Sequence, residues 1–66
     1  MIPIELHWPE PESQQLGPKT VSVPVLPRQG DLFELEKGNY YAVEHLVFFW
    51  EKDDTCSIYV TLKAWP

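Results

Sequence analysis

Apolar residues recur at every second position along much of this chain, and turn-forming residues cut them into short runs. Successive side chains of a strand point to opposite faces, so such alternation marks strands with one buried side. The i, i+3, i+4, i+7 spacing of an amphipathic helix is not sustained in any long window, and seven prolines interrupt the chain. Five strands follow. The first spans Ile2–Trp8, with Ile2, Ile4 and Leu6 on one face, and Pro3 confines it to a strand start or a sheet edge. The second spans Thr20–Leu26, setting Val21, Val23 and Val25 against Thr20 and Ser22, with Pro24 requiring an edge or a bulge. The third covers Asp31–Glu36, where Phe33 and Leu35 alternate with Glu34 and Glu36. The fourth runs from Tyr40 to Glu51 and the fifth from Cys56 to Trp65. In the fifth, Cys56, Ile58, Val60, Leu62 and Ala64 face one way; Ser57, Tyr59, Thr61, Lys63 and Trp65 face the other.

The fourth strand does not alternate cleanly. Tyr40 to Val43 is apolar on both faces, Glu44-His45 is polar on both, and Leu46-Val47-Phe48-Phe49-Trp50 is apolar on both again. A flat strand does not change character midway. A strand bent sharply at Glu44-His45 does, because a bulge or bend re-aims the residues that follow. If Val47 and Phe49 point inward then Leu46, Phe48 and Trp50 point outward, and the other register reverses this.

The connections differ in kind. Pro9–Lys19 is a long, acidic, proline-rich loop, partly extended, with Gly17-Pro18 as its turn signal. "LPRQGD" forms a turn, "EKGN" a hairpin in which Gly38-Asn39 supply positive φ, and "EKDDT" a charged turn that also guards the neighbouring apolar strands. One domain over residues 1–66 accommodates all of this. The arrangement points to an all-β fold: a small barrel or two orthogonally packed sheets, with a long, sharply bent fourth strand.

The segments "LPRQGDLFELEKGNYYAVEHLVF" and "CSIYVTLKA" resemble the five-stranded SH3-like small barrels of bacterial and phage type. The features that carry the resemblance are Gly30-Asp31 opening a strand, Lys37-Gly38 at a hairpin, Tyr41-x-Val43, and Val60-x-Leu62. The resemblance concerns barrel construction and transfers no functional residue. It implies a phage- or mobile-element-encoded accessory protein as one setting for the chain.

Charge narrows the partners. Ten acidic and five basic residues give a net charge of −5, and the basic ones are scattered. Nucleic-acid binding draws most of its affinity from neutralising phosphates, so a nucleic-acid-binding barrel, with rings stacking bases, is only the alternative reading. The N-terminal "MIPIELHW" lacks the basic start and apolar run of a signal peptide, and no stretch approaches a membrane span. The single cysteine, Cys56, cannot form an intramolecular disulfide and fits a reducing compartment. The expected location is cytoplasmic, away from membranes.

Candidate chemistry is thin. His7, His45 and Cys56 lack metal-ligand spacing, so no metal and no cofactor is expected. Cys56 and His45 could meet across the last hairpin, but no third orienting group is identifiable. The expectation is a protein that is not an enzyme and has no catalytic residues. Three Trp, three Tyr and three Phe are more aromatic surface than so small a core hides, and interfaces favour these residues. The expected function is a protein–protein interaction module, with a protein partner or a second copy of the chain bound through Phe48, Trp50, Tyr59 and Trp65. The stiff acidic Trp8–Glu12 stretch is a second candidate contact, for a basic partner.

Overall fold

The computed structural model describes residues 1–10, 14 and 16–66, without the side chains of Leu35 and Glu36. The protein is all-β: five strands form one curled sheet, a half-barrel. They are β1 (Ile2–His7), β2 (Lys19–Val23), β3 (Leu32–Glu36), β4 (Asn39–Trp50) and β5 (Cys56–Trp65). Their order in space is β2-β1-β5-β4-β3. Neighbours are antiparallel except β1 and β5, which run parallel and pair through only three positions, Glu5–Tyr59, Leu6–Val60 and His7–Thr61. A single sheet therefore replaces the two-sheet alternative.

The bend lies where the polar dipeptide placed it. Val43 pairs with Leu62 and His45 pairs with Thr61, so Glu44 is an extra residue on β4. One extra residue shifts the period-two pattern by one. Before the bulge Tyr41 and Val43 share the face of Ala64 and Leu62; after it Leu46 and Phe48 share the face of Val60 and Ile58. The odd-numbered apolar set of the first half and the even-numbered set of the second thus line the same concave side.

That side holds the core. Ile4, Leu6, Trp8, Val43, Val60 and Leu62 are buried, with Ile2, Val21, Val23, Phe33, Tyr41, Leu46 and Ile58 packed around them. Trp8 follows β1 and closes one end, its ring edge-on to Tyr41 at 5.4 Å. Its indole N–H is buried and meets no acceptor among the described residues.

Several boundaries differ from the sequence expectation. β2 ends at Val23 rather than Leu26, because Pro24 has no N–H to continue the ladder and disfavours regular pairing around it; Val25 is left 71% exposed. Of the two placements Pro3 permits, the structure shows the strand start: β1 begins at Ile2 and lies inside the sheet order. Pro3 is tolerated because there β1 pairs with β2 alone, its pairing with β5 starting only at Glu5. Asp31 anchors the turn before β3: its carboxylate accepts the Arg28 backbone N–H at 2.8 Å, while its carbonyl accepts from Val43 N at 2.8 Å. At the β3–β4 hairpin Gly38 alone takes positive φ, +88°, and Asn39 already begins β4. The facing of Leu35 lies outside the described residues, as do Pro11, Glu12, Ser13 and Gln15 of the Pro9–Lys19 connection. Within that connection Gln14 and Leu16 are helical, not extended, and the Gln14 amide donates to the Glu10 carboxylate at 3.2 Å. Among the described residues no helix is long and apolar enough to cross a membrane.

Candidate functional site

The far end of the β4–β5 hairpin answers why Leu46–Trp50 is apolar on both faces. β3 pairs with β4 only through Asn39–Ala42, and Val43 exchanges hydrogen bonds with Gly30 and Asp31. From Glu44 onward that edge of β4 has no strand partner among the described residues. On the other side β1 leaves β5 below Tyr59, opening a shallow cleft lined by Pro3, Glu5, Cys56 and Ser57. The pairs Phe48–Ile58, Phe49–Ser57 and Trp50–Cys56 therefore form a two-stranded arm, neither edge of which pairs with another strand among the described residues. Its apolar side chains stay wet on both faces: Phe48 is 50% and Trp50 68% exposed on one, Val47 45% and Phe49 48% on the other.

This geometry divides the four residues singled out from the sequence. Phe48 and Trp50 lie together on the concave side of the arm. Tyr59 lies on the reverse, stacked with Phe49 at 6.1 Å and met edge-on by His7 at 5.3 Å. His7 in turn pairs its Nε2 with the Glu5 carboxylate at 3.3 Å. Trp65, half exposed, is also on the reverse face but six residues along β5, roughly 20 Å away at ~3.3 Å per residue, where its ring meets Tyr40 at 5.9 Å. The four do not make one patch. Val47 and Phe49, outside the chosen four, are as exposed as Phe48; the polar dipeptide at Glu44-His45 was the signal for their placement, since the bulge there decides which parity faces out.

The arm ends in a tight acidic turn. Glu51 N donates to Thr55 O at 2.8 Å, Asp54 adopts φ +67°, and Asp53 accepts both the hydroxyl and the backbone N–H of Thr55, at 2.8 and 3.2 Å. The Thr55 hydroxyl, followed by its backbone N–H, holds the Asp53 carboxyl below the usual carboxylate value. At the opposite end, a hydrogen bond to the Glu34 carboxylate and its negative charge push the Tyr40 hydroxyl above the ordinary tyrosine value.

The cysteine–histidine meeting does not occur. Cys56 pairs with Trp50, while His45 pairs with Thr61 and lies 3.8 Å from the Glu44 carboxylate. Among the described residues no three His, Cys, Asp or Glu side chains cluster as a metal site would require. Comparison with protein-family models, with curated proteins and with solved structures finds no match.

Proposed function

We propose that this chain is a non-enzymatic protein–protein interaction module, a small SH3-like barrel that presents the β4–β5 arm to another polypeptide. The observation that carries this reading is the exposure of Phe48 and Trp50, 50% and 68%, on a ribbon whose edges pair with no other strand among the described residues. Large apolar side chains grouped in the open usually mark a contact surface, and aromatic residues supply most of the energy at such contacts. Tyr59 extends the surface to the reverse face through its stack with Phe49, and Trp65 forms a separate contact beside Tyr40. A bacterial or phage-type accessory protein acting in the cytoplasm is the setting the SH3-like resemblance suggests. Nucleic acid fits the same rings less well, because a chain of net charge −5 repels phosphates.

The test is site-specific photo-crosslinking in cells that express the full chain. A benzophenone amino acid replacing Trp50 is expected to give protein adducts, and the same group replacing Val25, also exposed but remote from the arm, is not. Equal labelling from both positions, or none from position 50, overturns the reading.

A further inference from the structure

The open edge of β4 has a sequence that fits its own reverse. Glu44-His45-Leu46-Val47-Phe48-Phe49-Trp50-Glu51-Lys52 reads apolar through its centre and charged at both ends. Two copies of an edge strand related by a two-fold axis pair antiparallel, and directly opposed residues share a face. With the axis at Phe48, Phe48 meets its own copy, Val47 meets the partner's Phe49, and Leu46 meets the partner's Trp50. Beyond the apolar run, His45 falls beside the partner's Glu51, and Lys52, in the turn just past β4, lies toward the partner's Glu44. Centring the axis on Val47 instead sets Glu44 against Trp50 and His45 against Phe49. Centring it on Phe49 sets Val47 against Glu51 and Leu46 against Lys52. Only the Phe48 register sets every residue of the apolar run Leu46–Trp50 opposite another apolar residue.

We infer that the partner of the arm is a second copy of this chain, joined β4 to β4 about a two-fold axis at Phe48 into one continuous ten-stranded sheet. This inference rests on the interaction-module reading and names the occupant of its surface. Three observations favour a second copy. Among the described residues no strand pairs with the β4 edge from Glu44 to Trp50, so addition of a strand would pair its backbone groups. A two-stranded ribbon is marginal alone in water, whereas three or more strands support one another, and the added copy gives the arm its third and fourth strands. In this register alone the whole apolar run Leu46–Trp50 opposes itself, with Lys52 carried toward the partner's Glu44. The contact is small. Aromatic side chains bury about 150–250 Å² each, so Phe48, Phe49 and Trp50, about half exposed or more, offer roughly 300 Å² per copy, against about 800 Å² per partner for a standard interface. The dimer is therefore weak and reversible.

Sedimentation velocity of the unmodified chain from about 1 to several hundred micromolar is expected to show a monomer passing to a dimer; a monomer throughout overturns the inference. Single-cysteine variants in a Cys56→Ser background then read the register, since residues opposed across antiparallel strands lie about 4.5–5.5 Å apart at Cα, within disulfide reach. Phe48→Cys alone is expected to form a disulfide-linked dimer. Val47→Cys and Phe49→Cys are expected to crosslink when mixed and at least tenfold less when separate. Equal crosslinking of all three alone overturns the pairing. A Glu44→Lys chain and a Lys52→Glu chain are each expected to dimerise more weakly, and the double swap to recover; no recovery overturns it. Circular dichroism reports whether each variant is folded, and the unmodified chain's sedimentation stands whatever the variants do. Photo-adducts from position 50 to other proteins, with a chain that stays monomeric, overturn this inference and leave the module reading intact; a chain that stays monomeric and gives no adducts removes both.

Discussion

Leu6 is the residue whose truncation tests this fold most sharply. It is fully buried, and it occupies the middle of the three-position seam that joins β1, and through it β2, to the rest of the sheet. Leu6→Ala removes three methylene equivalents, ~2.4 kcal/mol at ~0.8 kcal/mol each, and the cavity left beside Val60 and Ile4 carries the loss into the ~2–5 kcal/mol range of buried leucine truncations. A chain of 66 residues has about 3–10 kcal/mol in total, at ~0.05–0.15 kcal/mol per residue. The variant is expected to lose at least a fifth of its stability and, where the parent is near the lower end of that range, to unfold. Urea titration followed by far-ultraviolet circular dichroism measures this. With a slope near ~1 kcal/mol per molar, the low end for small domains, the midpoint falls by about 2 M or more. Val25→Ala, at a site 71% exposed, is the control and stays within ~0.5 kcal/mol of the parent. A loss below ~1 kcal/mol for Leu6→Ala would refute the burial and the seam together.

Two further outcomes follow from particular contacts. Asp53, held below the ordinary carboxylate value by the Thr55 hydroxyl and then its N–H, contributes stability that is present above the unfolded value of about 3.9 and is lost as pH falls through its folded value. In Thr55→Val the backbone donor remains, so carboxyl titration by nuclear magnetic resonance should show Asp53 returning only part of the way; no movement would mean the hydroxyl is not its partner. Deleting Glu44 leaves Val43–Leu62 and His45–Thr61 as consecutive rungs. The variant should fold, with a loss within the ~0.5–3 kcal/mol of ordinary changes, and keep the Leu46–Val60 nuclear Overhauser contact in a straighter strand. Disappearance of that contact would show that Glu44 is not the bulged residue.

Much of the strand content was legible because alternation is a direct image of one-sided burial. Ile2, Ile4 and Leu6, Val21 and Val23, and the even-numbered residues of β5 face as their spacing required. The bend was legible too, because Glu44-His45 interrupts an apolar run on both faces at once. What spacing could not carry was partnership. The parallel β1–β5 pairing joins residues more than fifty positions apart and leaves no local mark on either segment. The end of β2 was misplaced because Val25 continues the alternation beyond Pro24, where the missing N–H matters more than the pattern. The four aromatic residues were chosen for type and outward parity, but the extra residue at Glu44 decides which parity faces out, and so it split the group. Phe48 and Trp50 remain together; Tyr59 instead belongs with Phe49.

The bulge also separates what folds this protein from what it displays. Among the described residues the largest fully buried side chains are Ile4, Leu6, Val43, Val60 and Leu62, all aliphatic. Of the large rings beyond the bulge, Phe48, Phe49 and Trp50 are about half exposed or more, and they stand on paired positions past the last contact with β1. A continuous apolar strand edge of this kind invites uncontrolled pairing. Here the hazard is bounded on both sides by charge, Glu44 before the run and Glu51 to Asp54 after it. Charges at the ends of an apolar edge do not prevent pairing; they select the register in which unlike ends meet and penalise the others. In the proposed dimer the same residues that limit aggregation would specify one partner geometry, while the aliphatic core behind the bulge anchors the arm in the single chain.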